Sequence, residues 1–293
     1  MCKSGILQEQ YVYHKAKHIG LFVSGLLFIS FFFTTGVVLA QGNLLITPRR
    51  VVFDGTKRVQ ELNLANTGED TAKYNISIVQ YRMKEDGSFE VITQPDPGQN
   101  FADKNIRFFP RTVTLGPKEA QVVKMQVTKM EQLAPGEYRS HVYFRAVPKQ
   151  VALGEKEVVK DSTAVSVKLV PIFGITIPVI IRVGESNTQV NLSDLKLDVV
   201  NDSTKRLNVT FNRTGNMSVY GDLKVMHVSP SGIETLVGTV NGISVYTPNL
   251  IRKFSMELDK KVVFDYHSGS LKVTYSAQSD AKPEKFAEAE LKL

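Results

Sequence analysis

The chain has 293 residues, 42% of them hydrophobic and 22% charged, with a formal net charge of +7. That length holds one or two domains with a substantial core, and the balance of apolar and charged residues excludes a disordered chain. The only cysteine, Cys2, lies in the N-terminal leader, which excludes disulfides, a thiolate metal site and a cysteine nucleophile once the leader is gone. Lys15 and Lys17 precede an apolar run from Ile19 to Ala40, and Val38-Leu39-Ala40 followed by Gln41-Gly42 has the form of a small-residue cleavage site. The run is also long enough to span a bilayer, so an uncleaved anchor is the alternative. Its processing-like end, without a basic stop-transfer flank, favours a cleavable signal peptide over residues 1–40. Cleavage takes three lysines and one glutamate from the 36 basic and 29 acidic residues, leaving 33 and 28, a net +5. That mild bias without a polybasic cluster does not argue for nucleic-acid binding.

From Leu44 onward the pattern predicts short strands separated by turn signals. LLITPRRVVFDG carries Pro48 and Arg49-Arg50 and closes at Asp54-Gly55; VQELNLANTG alternates and stops at Asn66-Thr67-Gly68. YNISIVQYRM ends before the hairpin signal Glu85-Asp86-Gly87, and residues 92–106 read as a long loop. FFPRTVTLGPKEAQVVKMQV is split at Gly116-Pro117, PGEYRSHVYFRAVP follows, and residues 149–162 read as a polar loop.

Then comes VSVKLVPIFGITIPVIIR, Val165 to Arg182, in which every odd position is apolar: Val165, Val167, Leu169, Pro171, Phe173, Ile175, Ile177, Val179 and Ile181. Strict alternation rich in β-branched residues is a strand that buries one face. The run far exceeds the usual strand of roughly 5–6 residues, so it must bend or split, with Pro171 and Gly174 the obvious points. Proline cannot donate to a ladder and suits an edge or a bulge. A long apolar edge is a hazard unless its purpose is to pair with a strand of another chain. The alternative is an ordinary buried strand of a sandwich.

Gly184-Glu185-Ser186-Asn187 reads as a linker, and Gln189 to Leu293 repeats the style in seven further runs. The fold class is therefore all-β, with two immunoglobulin-like β-sandwich domains, residues 41–183 and 184–293, behind a signal peptide at 1–40.

The segments Arg50-Val51-Val52-Phe53-Asp54-Gly55, Asn66-Thr67-Gly68, Leu115-Gly116-Pro117 with Gln121, and Tyr138-Arg139-Ser140-His141-Val142-Tyr143-Phe144 running to Pro148 resemble, in order and spacing, the PapD-like periplasmic pilus-assembly chaperones. The resemblance covers residues 44–182 and continues weakly beyond, where it implies the family's two-sandwich boomerang. It implies a non-enzymatic, periplasmic protein that lends its seventh strand to a pilus or fimbria-type subunit missing its last strand (donor-strand complementation). An outer-membrane usher is the further partner it implies, and no cofactor, metal or small-molecule substrate.

Placing Arg182 on the arginine that ends the family's lending strand puts Leu169, Pro171 and Phe173 at donor positions, with Val165 and Val167 extending the same face. Arg50 matches the arginine that grips the subunit's terminal carboxylate, and charge-assisted donors suit that task. Two departures mark a divergent branch. The lysine that shares this grip is replaced by Pro178, with Lys168 ten residues too early, so Arg50 would work with another cation such as Arg49 or Arg182. Arg139 occupies the place of the acid that the family pairs with its interdomain arginine, here Arg182.

Other readings have less behind them. His141, His227 and His267 are isolated on strand-like runs, without a metalloprotease, nucleophile-elbow or phosphate-loop motif. Glu69-Asp70 and Glu85-Asp86 read as solvated turns without calcium-loop spacing. Asn75, Asn191, Asn201, Asn208, Asn212 and Asn216 form sequons that would suit an exported immunoglobulin-like adhesion or binding module; asparagine-rich turns are the plainer account. Tyr220, Tyr246 and Tyr275 read as core and corner packing. A subunit that receives a strand would need a free N-terminal extension, and the sequence after Ala40 enters its first strand within a few residues.

Overall fold

The computed structural model describes residues 44–148, 171–201, 204–278 and 284–293. Residues 1–40, expected to form a signal peptide, and the expected donor positions Val165, Val167 and Leu169 lie outside the described residues, as does Lys168. Among the described residues no helix is long and apolar enough to cross a membrane.

The architecture is all-β. The first sandwich contains β1 (Leu44–Thr47), β2 (Val51–Phe53), β3 (Val59–Asn66), β4 (Ala72–Val79), β5 (Tyr81–Met83), β6 (Phe89–Val91), β7 (Ile106–Phe109), β8 (Thr112–Leu115), β9 (Ala120–Val127), β10 (Gly136–Ala146) and β11 (Gly174–Val183). One sheet runs β1-β3-β9-β7, the other β2-β11-β10-β4-β8, and β5-β6 form a separate hairpin. The first strand of the pattern is divided between sheets. β1 pairs antiparallel with β3, and after Pro48, which cannot continue a ladder, β2 pairs parallel with β11. Alternating residues from both sheets meet in one core, where Phe53, Leu62, Leu64, Val123, Met125, Val142, Phe144, Val179 and Ile181 are fully buried. Each contributes on the order of 1.5–3 kcal/mol by leaving water.

The second sandwich contains β12 (Gln189–Asn201), β13 (Thr204–Thr214), β14 (Val219–Val228), β15 (Glu234–Val245), β16 (Ile251–Glu257), β17 (Ser270–Ala277) and β18 (Lys285–Lys292). Its sheets run β12-β13-β16 and β15-β14-β17-β18 around a separate core that includes Leu207, Phe211, Leu223, Val225, Leu271, Val273 and Tyr275. Tyr275 is wholly inside and satisfies its hydroxyl on the Ile243 carbonyl at 2.7 Å.

Asn216 lies in the turn before β14, but other asparagines depart from the turn reading. Asn191 lies on β12, Asn208 and Asn212 on β13; Asn208 donates to Asp198 at 2.7 Å and Asn212 to Ser193 Oγ at 2.8 Å. They form polar cross-strand pairs on a sheet surface, a role that alternation hides because polar residues there look like breaks.

The long apolar run also differs from a single strand. Among the described residues its strand begins at Gly174, and Pro171, Ile172 and Phe173 precede it outside any strand. The Ala146 N–H bonds the Phe173 carbonyl, while Val147 turns to the Lys73 carbonyl. Continuing the β10–β11 register would set Pro148 against Pro171, two residues without an N–H, so the ladder has nothing further to close.

Candidate functional site

β11 is antiparallel to β10 along its whole length, from Arg145 opposite Gly174 to Gly136 opposite Val183. Its other side meets β2 only at Val179, Ile180 and Ile181. Among the described residues, the outer edge from Gly174 to Pro178 therefore carries no strand. The Ala146–Phe173 bond fixes which backbone groups face it. Odd residues of β11 bond β10, so the N–H and C=O of Gly174 and Thr176 point outward, and the C=O of Pro178, also outward, faces Val51 at the start of the β2 pairing. Pro178, in the place of the expected lysine, thus loses its N–H on the open side, where the ladder does not need it.

The side chains of the odd residues share one face, and that face runs out of the core. Val179 is fully buried, Ile177 is 4% exposed, Ile175 is partly buried against the core, and Phe173 is 46% exposed. Pro171 is exposed. Tyr143 lies across Gly174 so closely that any Cβ there would collide with its ring. Of the five positions expected to donate, Pro171 and Phe173 lie just ahead of β11.

Arg50 precedes Val51, whose partner is Val179, and so stands beside Pro178 where the open edge ends. It is half-buried. Its guanidinium carbon lies 4.6 Å from the ring centroid of Tyr220 and 5.5 Å from that of Tyr246, and Nη1 donates to the Tyr246 hydroxyl at 3.4 Å. Tyr220 and Tyr246, read from sequence as ordinary packing, are thus the aromatic walls of the junction between the sandwiches. Among the described residues no carboxylate forms an ion pair with Arg50. Arg49 is exposed.

Arg182 is committed elsewhere. Its Nε donates to Glu137 Oε2 at 3.2 Å and its Nη2 to the Ser218 carbonyl at 2.7 Å. Glu137, with a fully buried side chain, also accepts from the Ser218 N–H at 3.0 Å and the Ser218 hydroxyl at 2.7 Å. Ser218 belongs to the second sandwich, so this buried cluster joins the two. The acid opposite Arg182 is therefore Glu137, its direct cross-strand partner, and not the residue at 139. The signal was present in GEYRSHVYF. Glu137, Arg139, His141 and Tyr143 alternate with Tyr138, Ser140, Val142 and Phe144, placing two charges and a histidine on one face of a strand that is otherwise core.

Arg139 is 2% exposed, with its guanidinium carbon 4.2 Å from the Tyr246 ring centroid. Nη2 reaches the Tyr81 and Thr247 carbonyls at 3.4 and 3.3 Å, and Nε has no partner. Burial pulls its pKa below the usual arginine value, against the opposing influence of Tyr246 and Glu137, and the neighbouring Arg50 adds a smaller pull. His141 meets Tyr81, Phe89 and Tyr246 edge-on, with ring centroids 5.0, 5.8 and 6.4 Å away. Burial, then the positive Arg139 and Arg50, lower its pKa to about 3, so it is neutral.

The β5–β6 hairpin closes the junction from outside. Asn249 donates to the Met83 carbonyl at 2.8 Å, the Lys253 N–H to the Glu85 carbonyl at 2.7 Å, and Lys253 Nζ lies 3.1 Å from Glu85 Oε2. Beneath it Met83, Ile180 and Tyr246 form a small buried cluster of their own. His227 bonds the Ser268 carbonyl through Nε2 at 3.0 Å, while His267 stacks beside Tyr266. Among the described residues no group of three or more His, Cys, Asp or Glu side chains could hold a metal ion.

No model of a known protein family matches the chain, and neither does any curated protein. Among solved structures it is similar to the YadV chaperone, at 13% identity over 86% of this chain and 100% of that one, with a TM-score of 0.43. It is similar to a chain of the CsuC–CsuE chaperone–tip adhesion subunit pre-assembly complex of Acinetobacter baumannii, at 12% identity over 85% and 98%, TM-score 0.43. A third is a chain of the Salmonella enterica SafA pilin in complex with the SafB chaperone, at 11% identity over 87% and 98%, TM-score 0.40. Likeness at this level assigns neither a family nor a task.

Proposed function

We propose that this protein is a chaperone of exported, incomplete β-sandwich subunits, to which it lends the edge of β11 and the apolar residues ahead of it. One observation carries the reading: the odd face of β11 leaves the core at Phe173 along an edge that, among the described residues, has no strand beside it from Gly174 to Pro178. A groove that lacks one strand needs backbone donors and acceptors along one line and an apolar side chain at every second position. This edge offers both. Pro171 and Phe173, with Val165, Val167 and Leu169 before them, are the proposed donor positions, and Arg50 is the proposed anchor for the subunit's terminal carboxylate. The work is physical and not catalytic. It is set in the periplasm behind a cleaved leader, with residues 41–183 giving the strand and 184–293 forming the second domain.

Expression of the tagged chain together with its neighbouring reading frames tests the reading. A small β-rich subunit is expected to co-purify, protected from protease only in the complex. Phe173→Glu is expected to lose it with the unfolding temperature unchanged, because Phe173 lies outside the core whereas a charge in the subunit groove has no partner. Undiminished capture by Phe173→Glu overturns the reading.

A further inference from the structure

At the junction Arg50 and Arg139 lie beside the buried pair of Arg182 and Glu137. Glu137 is taken by Arg182 and Ser218. Arg50 and Arg139 are left with no carboxylate among the described residues, and both lie against Tyr246, with guanidinium carbons 5.5 and 4.2 Å from its ring centroid. Two cations against one ring repel each other, and the attraction of an aromatic face offsets that only in part. Arg139 is the more exacting case. It is buried, its Nε is unpartnered, and its Nη2 has only two long bonds to carbonyls. Arginine stays protonated at physiological pH; Glu137, already bonded to Arg182 and Ser218, attracts Arg139 without forming an ion pair with it, and a buried charge without a bonded counter-charge is unfavourable. The hydroxyl of Tyr246 points the same way. Arginine can only donate, so in the Arg50–Tyr246 bond the phenol oxygen accepts, and its own proton meets no acceptor among the described residues. An anion is the partner that all three groups lack.

We infer that Arg139 and Tyr246 complete, with Arg50, a carboxylate site in which they stand in for the lysine replaced by Pro178. Arg50 and the Tyr246 hydroxyl are the groups that touch the carboxylate. Arg139 is a positioning residue behind the Tyr246 ring, adding positive potential and holding the phenol in place. The occupant is a chain-terminal carboxylate because the site lies where the open edge stops, beside Pro178. This rests on the reading of Arg50 as anchor and adds which residues act with it.

The test uses the intact chain and a short peptide of alternating valine and threonine, made with a free C-terminal carboxylate and as the C-terminal amide. The readout is the ratio of the two dissociation constants at fixed ionic strength. The native chain is expected to prefer the acid about tenfold or more, in keeping with charge-assisted bonds. Arg50→Ala removes the preference. Arg139→Gln and Tyr246→Phe each reduce it severalfold and leave amide binding unchanged, while Arg139→Lys retains it. A merely structural Arg139 would weaken acid and amide alike. If Arg139→Gln fails to fold, Tyr246→Phe, which removes one oxygen, decides. Native preference in Arg139→Gln and Tyr246→Phe, with loss in Arg50→Ala, overturns this inference and leaves the anchor standing. Absence of any preference in the native chain overturns the anchor reading and this inference with it.

Discussion

His141 illustrates how a single side chain sets a pH limit on the fold. Burial, helped by Arg139 and Arg50, lowers its pKa to about 3, whereas in the unfolded chain it titrates near the ordinary histidine value of about 6.5. Between those values the unfolded chain binds a proton that the native chain does not. The contribution of neutral His141 is therefore complete above the unfolded pKa and declines as pH falls. The slope is about 1.4 kcal/mol per pH unit through the range below 6.5. Urea titrations at stepped pH from 7 to 5 measure it, and the range stops short of the carboxylates. His141→Phe is expected to flatten that dependence at little cost at pH 7. Its neighbours are aromatic edges, and the imidazole Nδ1 it removes has no hydrogen-bond partner. In the sequence this histidine is one of three isolated ones. Only the cross-strand neighbours reveal that it belongs to the junction, because alternation tells the face of a residue and not what lies over that face.

Among the elements, the strands with clean alternation were the most legible. β3 and β9 lie within the runs that periodicity marks, and β11 does so except for its last residue, Val183, since a strand with one buried face must show period two. β15 was less so. ETLVGTV and ISVYTP read as two of the seven runs, yet Glu234–Val245 is one strand, with Gly242 at φ +76° and a register shift opposite Gly221 and Leu223. A bulge takes up the extra residue, and glycine is what permits it. The β5–β6 hairpin was marked by Glu85-Asp86-Gly87, but its grip on the second sandwich depends on residues more than 150 positions later, beyond any local signal. That grip is testable at Gly87. Its φ of +83° suits glycine, and a Cβ would lie 2.6 Å from Arg252 Nη2. Gly87→Ala is expected to destabilise by about 1–2 kcal/mol and to raise hydrogen exchange selectively at the Lys253 amide, which bonds Glu85 across the junction.

In the whole molecule, two separately cored sandwiches are tied by a buried carboxylate that takes donors from both. Glu137 on β10 binds Arg182 on β11 and both the N–H and the hydroxyl of Ser218. Removing one partner of such a group leaves the others facing a void of charge, which is costlier than the pair is favourable. Glu137→Gln is expected to cost about 2–3 kcal/mol in urea unfolding. The effect reaches both sandwiches, seen as matched losses of protection at Val179 and Val219. Two sandwiches and the run that became the open edge could be read from the chain alone. Which acid joins the sandwiches could not, because cross-strand register decides it and a two-residue slip moves the assignment from 139 to 137 without disturbing the pattern.

On the proposed reading, the side of β11 that carries no strand among the described residues sets a condition on any guest. Gly174 and Thr176 each present a proton and lone pairs there, whereas the carbonyl of Pro178 already faces Val51. A visiting chain would meet a short ruler with two full marks. Sliding it by one notch would turn over every side chain it brings. The host's backbone would then meter the guest's phase before any side chain is compared.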